Sequence, residues 1–458
     1  MDFRNAFTMS EDMKKREMNP GQVLVLGFAS VILIGAILLN LPIATQNGTS
    51  IGFINAIFTA TSAVCVTGLV VVDTGTYWTV YGKSVILLLI QIGGLGFMTM
   101  ATSMAFLVGK RISLRSRLIM QEALNQFSIS GLVRLTKYII YTTFIIEGIG
   151  AVLLSLKFVP EYGWKTGVFY SIFHSISAFC NAGFDIIGNG RSLTPFVGDP
   201  LVNIAIMMLI IVGGIGFTVI IDLFQKATGK EKTLSLHTKF VLALTGILLL
   251  SAFVMVFMFE YGNPDTIGNL NFGEKILASM FHAVTPRTAG FNTLPMDKLT
   301  MPTKFLTIIH MFIGGSPGST AGGVKTTTVG LVILLVISVI TGKEDIEFSN
   351  RRFQTSTVMR ALAILGIGIF IVMTVTLFLS FTESGLDFMD IFFESVSAFG
   401  TVGLSLGITS QLSLAGKIII TITMFFGRLG PLTIAMALAN RQVKKPLYRY
   451  PEGRITVG

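Results

Sequence analysis

Four short segments of this 458-residue chain place a glycine in a matching setting: Asn55 to Gly68, Tyr170 to Gly183, Leu277 to Gly290 and Asp390 to Gly403. They align without gaps. Phe58, Phe173 and Phe393 share one offset, Ser62, Ser177 and Ser397 share another, and each glycine is followed by Leu or Phe. The chemistry such residues can do is cation coordination. A dehydrated monovalent cation needs a cage of oxygens, and rings of backbone carbonyls can replace its hydration shell. Glycine suits the task because it admits backbone angles closed to other residues and lets the chain come close to the ion. The candidate ion-binding residues are therefore Val66, Thr67, Gly68; Asn181, Ala182, Gly183; Thr288, Ala289, Gly290; and Thr401, Val402, Gly403. One such glycine would be an ordinary turn; four in register are an internal repeat.

Elements must hold these segments, and composition says where. The chain is 52% hydrophobic and only 13% charged, which places it in a bilayer, and uncharged runs of about 20 residues, enough to cross it, recur. The net charge of +10 is not spread as a nucleic-acid surface would be. It collects in short loops (Lys110 to Lys137, Lys226 to Lys239, Lys343 to Arg360) and at the two ends, which the positive-inside rule makes cytoplasmic. This divides the chain into a cytoplasmic N-terminus (1–20), repeat 1 (21–110), repeat 2 (134–226), repeat 3 (237–343), repeat 4 (355–440) and a cytoplasmic tail (441–458). Each repeat reads as helix, short re-entrant segment, helix. The first helices are expected near 22–41, 135–156, 239–259 and 358–381, and the last near 84–108, 201–224, 305–340 and 418–438. Irregular backbone at membrane depth is tolerated only when buried in protein or lining a wet cavity. The expected fold is an all-α membrane protein with eight spanning helices, its four tandem helix–pore loop–helix repeats set around a pseudo-fourfold pore.

The third repeat departs from the rest. From Lys304 to Lys343 only Lys325 is charged, a stretch too long for one straight crossing, and it is interrupted by Gly314, Gly315, Ser316, Pro317, Gly318, Ser319, Thr320, Ala321, Gly322 and Gly323. The run through Thr326 looks like a phosphate-binding loop with one residue too many before Lys325, but a P-loop needs a preceding strand and a soluble nucleotide site, and both flanks here are apolar. Lys325 reads instead as a fixed charge near the permeation path, or as snorkelling to an interface. In the last repeat, Arg428 stands within Gly427 to Gly430, a stretch aligned with Gly93 to Gly96 and Gly213 to Gly216. A mid-helix arginine must face the interior, where it can bond loop carbonyls and repel cations.

The chain resembles the Trk/Ktr/HKT superfamily of cation transporters along essentially its whole length, and most of all the membrane subunit of the bacterial Ktr system. The resemblance implies a single-chain analogue of a potassium-channel tetramer, with the four glycine segments as selectivity filter and K+ as substrate ion. In plant relatives a serine at the first filter glycine goes with sodium preference; Gly68 here favours potassium. The resemblance also makes Gly314 through Gly323 an intramembrane gate, with Lys325 beside it and Arg428 contacting it. It further implies a homodimer seated on a cytosolic nucleotide-binding regulatory ring of the KtrA type, for which the basic loops and the tail from Tyr448 to Gly458 are docking surfaces. Sodium dependence stays open.

Other residues carry less. Asp185 could gather cations at the outer mouth, Arg287 and Glu394 could pair behind the filter, and His174, His237, His282 and His310 form no ligand cluster. Cys65 and Cys180 read as packing residues. No catalytic constellation is present, so neither an enzyme nor a resident cofactor is expected. The rival readings are the ion-conducting component of an ATP-driven potassium pump, which would need extra helices, a sodium-conducting carrier, and an inverted-repeat carrier, which would need halves of opposite sense. A voltage-gated channel would need a regularly spaced arginine helix.

Overall fold

The structure is a computed structural model that describes residues 20–96, 99–100, 118–121 and 131–430. The expected cytoplasmic tail 441–458 and nearly all of the N-terminal segment 1–20 lie outside them. Among the described residues, four helices are long and apolar enough to cross a membrane: α1 (Pro20–Asn40), α4 (Leu132–Tyr162), α8 (Leu236–Glu260) and α12 (Thr355–Thr382). At most a third of each apolar window is buried, so their outer faces carry Leu, Ile and Phe that only lipid would cover, as on Ile34, Phe144, Leu250 and Phe370. This is a multi-pass membrane protein.

Each long helix is followed by a short one, α2 (Phe53–Val64), α5 (Trp164–Phe179), α9 (Phe272–Val284) and α13 (Phe388–Gly400), which packs against it. A third helix follows: α3 (Val80–Leu95), α6 (Pro200–Ile215), α10 (Met301–Phe312) and α14 (Leu414–Leu429). Side-chain caps start most of these. Thr79 Oγ1 takes the Gly82 amide, an Asp199 carboxylate oxygen that of Val202, and Ser413 Oγ that of Gly416. The third helix of each unit also packs against the short helix of the next: α3 on α5, α6 on α9, α10 on α13, and α14 back on α2. The chain closes on itself in cyclic order.

Other elements include α7 (Phe217–Ala227), α11 (Thr326–Ile340) and a hairpin of β1 (Glu347–Phe348) with β2 (Arg351–Arg352). The continuous helix expected over 201–224 is corrected here: α6 ends at Ile215, and α7 leaves it at 100°. Gly216 turns the corner at φ +98°, and the Phe217 amide, freed from the helix ladder, donates to Gly318 O. Two other third helices stop at a glycine in the matching place, Gly96 at φ +82° and Gly430 at φ +81°. What the expected 84–108 and 418–438 helices do beyond residues 100 and 430 lies outside the described residues.

Two glutamates tie the first helix of a unit to its third. Glu260 is fully buried and accepts from the Thr300 amide and hydroxyl, Thr266 Oγ1 and Asn263 Nδ2; Glu383 accepts from the Ser413 amide and hydroxyl. Glu260→Ala removes the acceptor of four hydrogen bonds, leaves the Thr300 amide without its partner, and costs about 2 kcal/mol. Thermal unfolding in detergent should show a lower midpoint; an unchanged midpoint would mean that water replaces the carboxylate at no cost.

Candidate functional site

After each short helix the backbone makes the same manoeuvre. Val66, Asn181, Thr288 and Thr401 lie in the left-handed region at φ +57°, +58°, +63° and +51°, and two residues later Gly68, Gly183, Gly290 and Gly403 lie at φ +90°, +68°, +77° and +88°. A left-handed β-branched residue is a costly conformation, held only where its surroundings impose it. Here the imposing groups are repeated. Thr67, Ala182 and Val402 donate their amides to the Ser62, Ser177 and Ser397 carbonyls, and Ala289 donates to Thr285 O.

The recurrent serine therefore has a function that its recurrence alone did not disclose. Ser62 Oγ accepts the Gly68 amide at 3.1 Å, Ser397 Oγ accepts that of Gly403 at 3.2 Å, and Ser177 Oγ donates to Phe184 O at 2.7 Å. The third unit has Val284 at that offset, and the adjacent Thr285 supplies the hydroxyl instead, donating to Phe291 O.

The four glycines meet. A Cβ on Gly68 would stand 2.4 Å from Ala182 O, one on Gly183 2.8 Å from Ala289 O, one on Gly290 2.5 Å from Val402 O, and one on Gly403 2.2 Å from Thr67 O. All are far inside ordinary contact, and each names the loop of the next unit, so the contacts close into a ring. Any side chain there would strike backbone. The hydroxyls of Thr67, Thr288 and Thr401 are buried without a partner. Backbone carbonyls and unpaired hydroxyl oxygens around one axis are the donor set a monovalent cation would take as cargo.

On one side of the ring lies the loop between α10 and α11. Its limbs pair as a parallel bridge at Ile313 and Val324, and a Cβ on Gly314 would stand 2.1 Å from Gly322 O. Its middle docks on the corner of α6 and on the ring: Ser316 donates its amide to Gly214 O at 2.9 Å, and Thr320 Oγ1 lies 3.0 Å from Gly213 O, 3.1 Å from Phe179 O and 3.3 Å from Asn181 Oδ1. A Cβ on Gly322 would stand 2.1 Å from Thr401 Oγ1. Lys325 folds back to donate to Ala321 O at 2.7 Å. Arg428 reaches across from α14, donating to Thr320 O in the loop and to Gly93 O and Gly94 O at the end of α3. One guanidinium thus joins three units, using a fork of donors that lysine lacks.

On the other side of the ring the segments after the glycines are stitched together. An Asp73 oxygen accepts the Asn189 amide at 2.8 Å and the Thr76 amide at 3.2 Å, linking the first unit to the second. Burial pushes the Asp73 carboxyl up, but the bonds from Thr76, Asn189 and Gly190 outweigh it and hold the group below its ordinary value.

Asp185 takes the Ile187 amide at 3.3 Å, closing its own turn. The expected pairing of Arg287 with Glu394 is corrected: Glu394 accepts from Thr409 Oγ1, whereas Arg287 Nη2 donates to Thr326 Oγ1 at 3.3 Å. Glu394 lies within α13, whereas Arg287 lies beyond the end of α9, and the two extend to opposite sides of the ring. His174 and His310 bond the Tyr170 and Leu306 carbonyls, and His282 bonds Thr307 Oγ1. Cys65 and Cys180 are buried thiols.

The family described as TrkH, cation transport protein, matches residues 5–445. The chain is 46% identical to the Ktr system potassium uptake protein B of Bacillus subtilis (strain 168), over 98% of this chain and 100% of that protein. It is 40% identical to the Ktr system potassium uptake protein B of Vibrio alginolyticus, over 98% of this chain and 97% of that protein. It is also 40% identical to the potassium/sodium uptake protein NtpJ of Enterococcus hirae, over 97% of this chain and 99% of that protein. In fold it matches the potassium transporter TrkH from Vibrio parahaemolyticus with a TM-score of 0.72 at 17% identity, covering 93% of this chain and 86% of that one.

Proposed function

We propose that this chain, which belongs to the TrkH family of cation transport proteins, is the potassium-translocating membrane subunit of a potassium-uptake system. The observation that carries the site assignment is the closed ring in which each of Gly68, Gly183, Gly290 and Gly403 abuts a carbonyl of the next unit. The four segments Val66 to Gly68, Asn181 to Gly183, Thr288 to Gly290 and Thr401 to Gly403 form the selectivity filter, four repeats surround it as a pseudo-fourfold pore, and K+ passes along its axis. The loop from Gly314 to Gly323, with Lys325 and Arg428, is the gate. Its support is its place against the ring and the positive charge of Arg428, which forms no ion pair among the described residues and opposes a cation while the loop is closed.

Both termini lie on the cytoplasmic side of a bacterial plasma membrane, a reading supported by the charge of the basic loops. Two copies of the chain form a homodimer on a cytosolic nucleotide-binding ring, a reading supported by relatives named as parts of a Ktr system. A sodium-conducting variant of the same chemistry is the second reading, favoured by the relative named for both potassium and sodium.

Radiolabelled rubidium uptake into liposomes carrying the purified chain, with potassium, sodium and choline as competitors, tests the function. Block by potassium and not by choline is expected. Equal block by sodium would favour the second reading, and no uptake even with the gate loop deleted would overturn conduction by this subunit.

A further inference from the structure

Three residues before each ring glycine stand Cys65, Cys180, Arg287 and Gly400. The third unit alone carries a charge there. Arg287 is 6% exposed, its Nε has no partner, and it takes part in none of the ion pairs among the described residues. A buried cation without a carboxylate is costly, and it is kept where its remaining bonds matter.

Its side-chain bond goes to one atom, Thr326 Oγ1, at 3.3 Å. Thr326 is where the two limbs of the gate loop are joined: its hydroxyl donates to Gly314 O at 3.0 Å and its amide donates to Gly315 O at 3.0 Å, while the Gly314 amide donates to Val324 O at 2.9 Å. With its proton committed to Gly314, the hydroxyl offers a lone pair, and a guanidinium, which can only donate, is the matching partner. The backbone of Arg287 is anchored in turn, since Asn181 Nδ2 donates to its carbonyl at 3.2 Å. In the next unit the same level holds Gly400, where a Cβ would stand 2.4 Å from Met311 O, and Gly323 of the loop lies against it. Arginine holds the neck from one unit; the missing side chain makes room for it in the next.

We infer that Arg287 is a positioning residue that fastens the neck of the 314–325 loop to the ring, so that the gate opens by movement of its tip, residues 316–323, about a neck that stays in place. Arg428 holds the tip and Arg287 the base. The inference rests on the gate reading proposed above.

The test is rubidium uptake into proteoliposomes carrying the full chain as wild type, Arg287→Gln, Thr326→Val, the double variant, Thr326→Ser, and a deletion of Gly315 to Gly322. Loss of one hydrogen bond from a charged donor should raise unstimulated flux about tenfold in Arg287→Gln, and Thr326→Val, which also loses the bond to Gly314 O, should raise it at least as much. The double variant should not exceed Thr326→Val, Thr326→Ser should restore low flux, and the rubidium KM and preference over sodium should be unchanged. Effects that multiply in the double variant would overturn the inference, as would a changed ion preference, which would place Arg287 in the ring itself. If Arg287→Gln does not fold, Thr326→Val against Thr326→Ser carries the same decision. Flux through the deletion variant with both point variants still closed would refute the neck alone; no flux through any variant would refute conduction.

Discussion

Gly290→Ser should cost the transporter most of its preference for potassium over sodium, at least about tenfold in relative uptake, because two penalties act on one residue. The backbone stands at φ +77°, where a side chain costs about 1–2 kcal/mol before it touches anything. The added Cβ would then lie 2.5 Å from Val402 O and 3.0 Å from Gly183 Cα, so two neighbouring loops must retreat. A carbonyl cage displaced on two sides cannot keep the spacing that separates potassium from the smaller ion. Gly366→Ser is the control. That glycine lies on α12 with nothing within 4 Å of a Cβ, and selectivity there should be untouched. Competition of sodium and potassium against rubidium uptake measures both, and a normal preference in Gly290→Ser would remove this glycine from the filter.

Arg428→Gln should open the gate. The guanidinium bonds Thr320 O, Gly93 O and Gly94 O, and glutamine can reach at most one of these while carrying no charge. Two lost charge-assisted bonds at about 1.5 kcal/mol each shift a closed-to-open equilibrium by about a hundredfold. Removing a positive charge from beside the path also lowers the barrier to a cation, so both effects have the same sign. Unstimulated rubidium flux should rise steeply and depend less on any regulatory partner. A fall in flux from protein that elutes and unfolds like wild type would mean that Arg428 props the path open.

Several features of this molecule could be read from residue types alone, and the reason differs from one to the next. The ring segments were legible because the constraint is local and fourfold: a glycine whose Cβ would hit a carbonyl recurs in register with the Ser that braces it. The interruption before Lys325 was legible because no helix retains that run of Gly, Ser and Pro. The corner at Gly216 was not, since Gly213, Gly214 and Gly216 are compatible with a membrane helix, and what turns the chain is the Gly318 carbonyl, supplied from a hundred residues away. The cyclic packing of each third helix on the next unit is a tertiary fact with no pattern of its own. Thr285 escaped notice because it lies one position off the serine register. Arg287 and Glu394 looked like partners because opposite charges on equivalent pore-loop segments invite pairing, but their offsets from the glycine differ, and that difference sends them to opposite sides of the ring.

The central claim is that cations travel through the centre of the four glycine segments. Crystals of the chain grown in potassium and exchanged into rubidium, with data collected at the rubidium absorption edge, locate the ion directly. Anomalous density on the axis between Gly68, Gly183, Gly290 and Gly403, weakened by competing potassium, is the result predicted here. Density at another place between the helices, with that axis empty in well-ordered crystals, would contradict it.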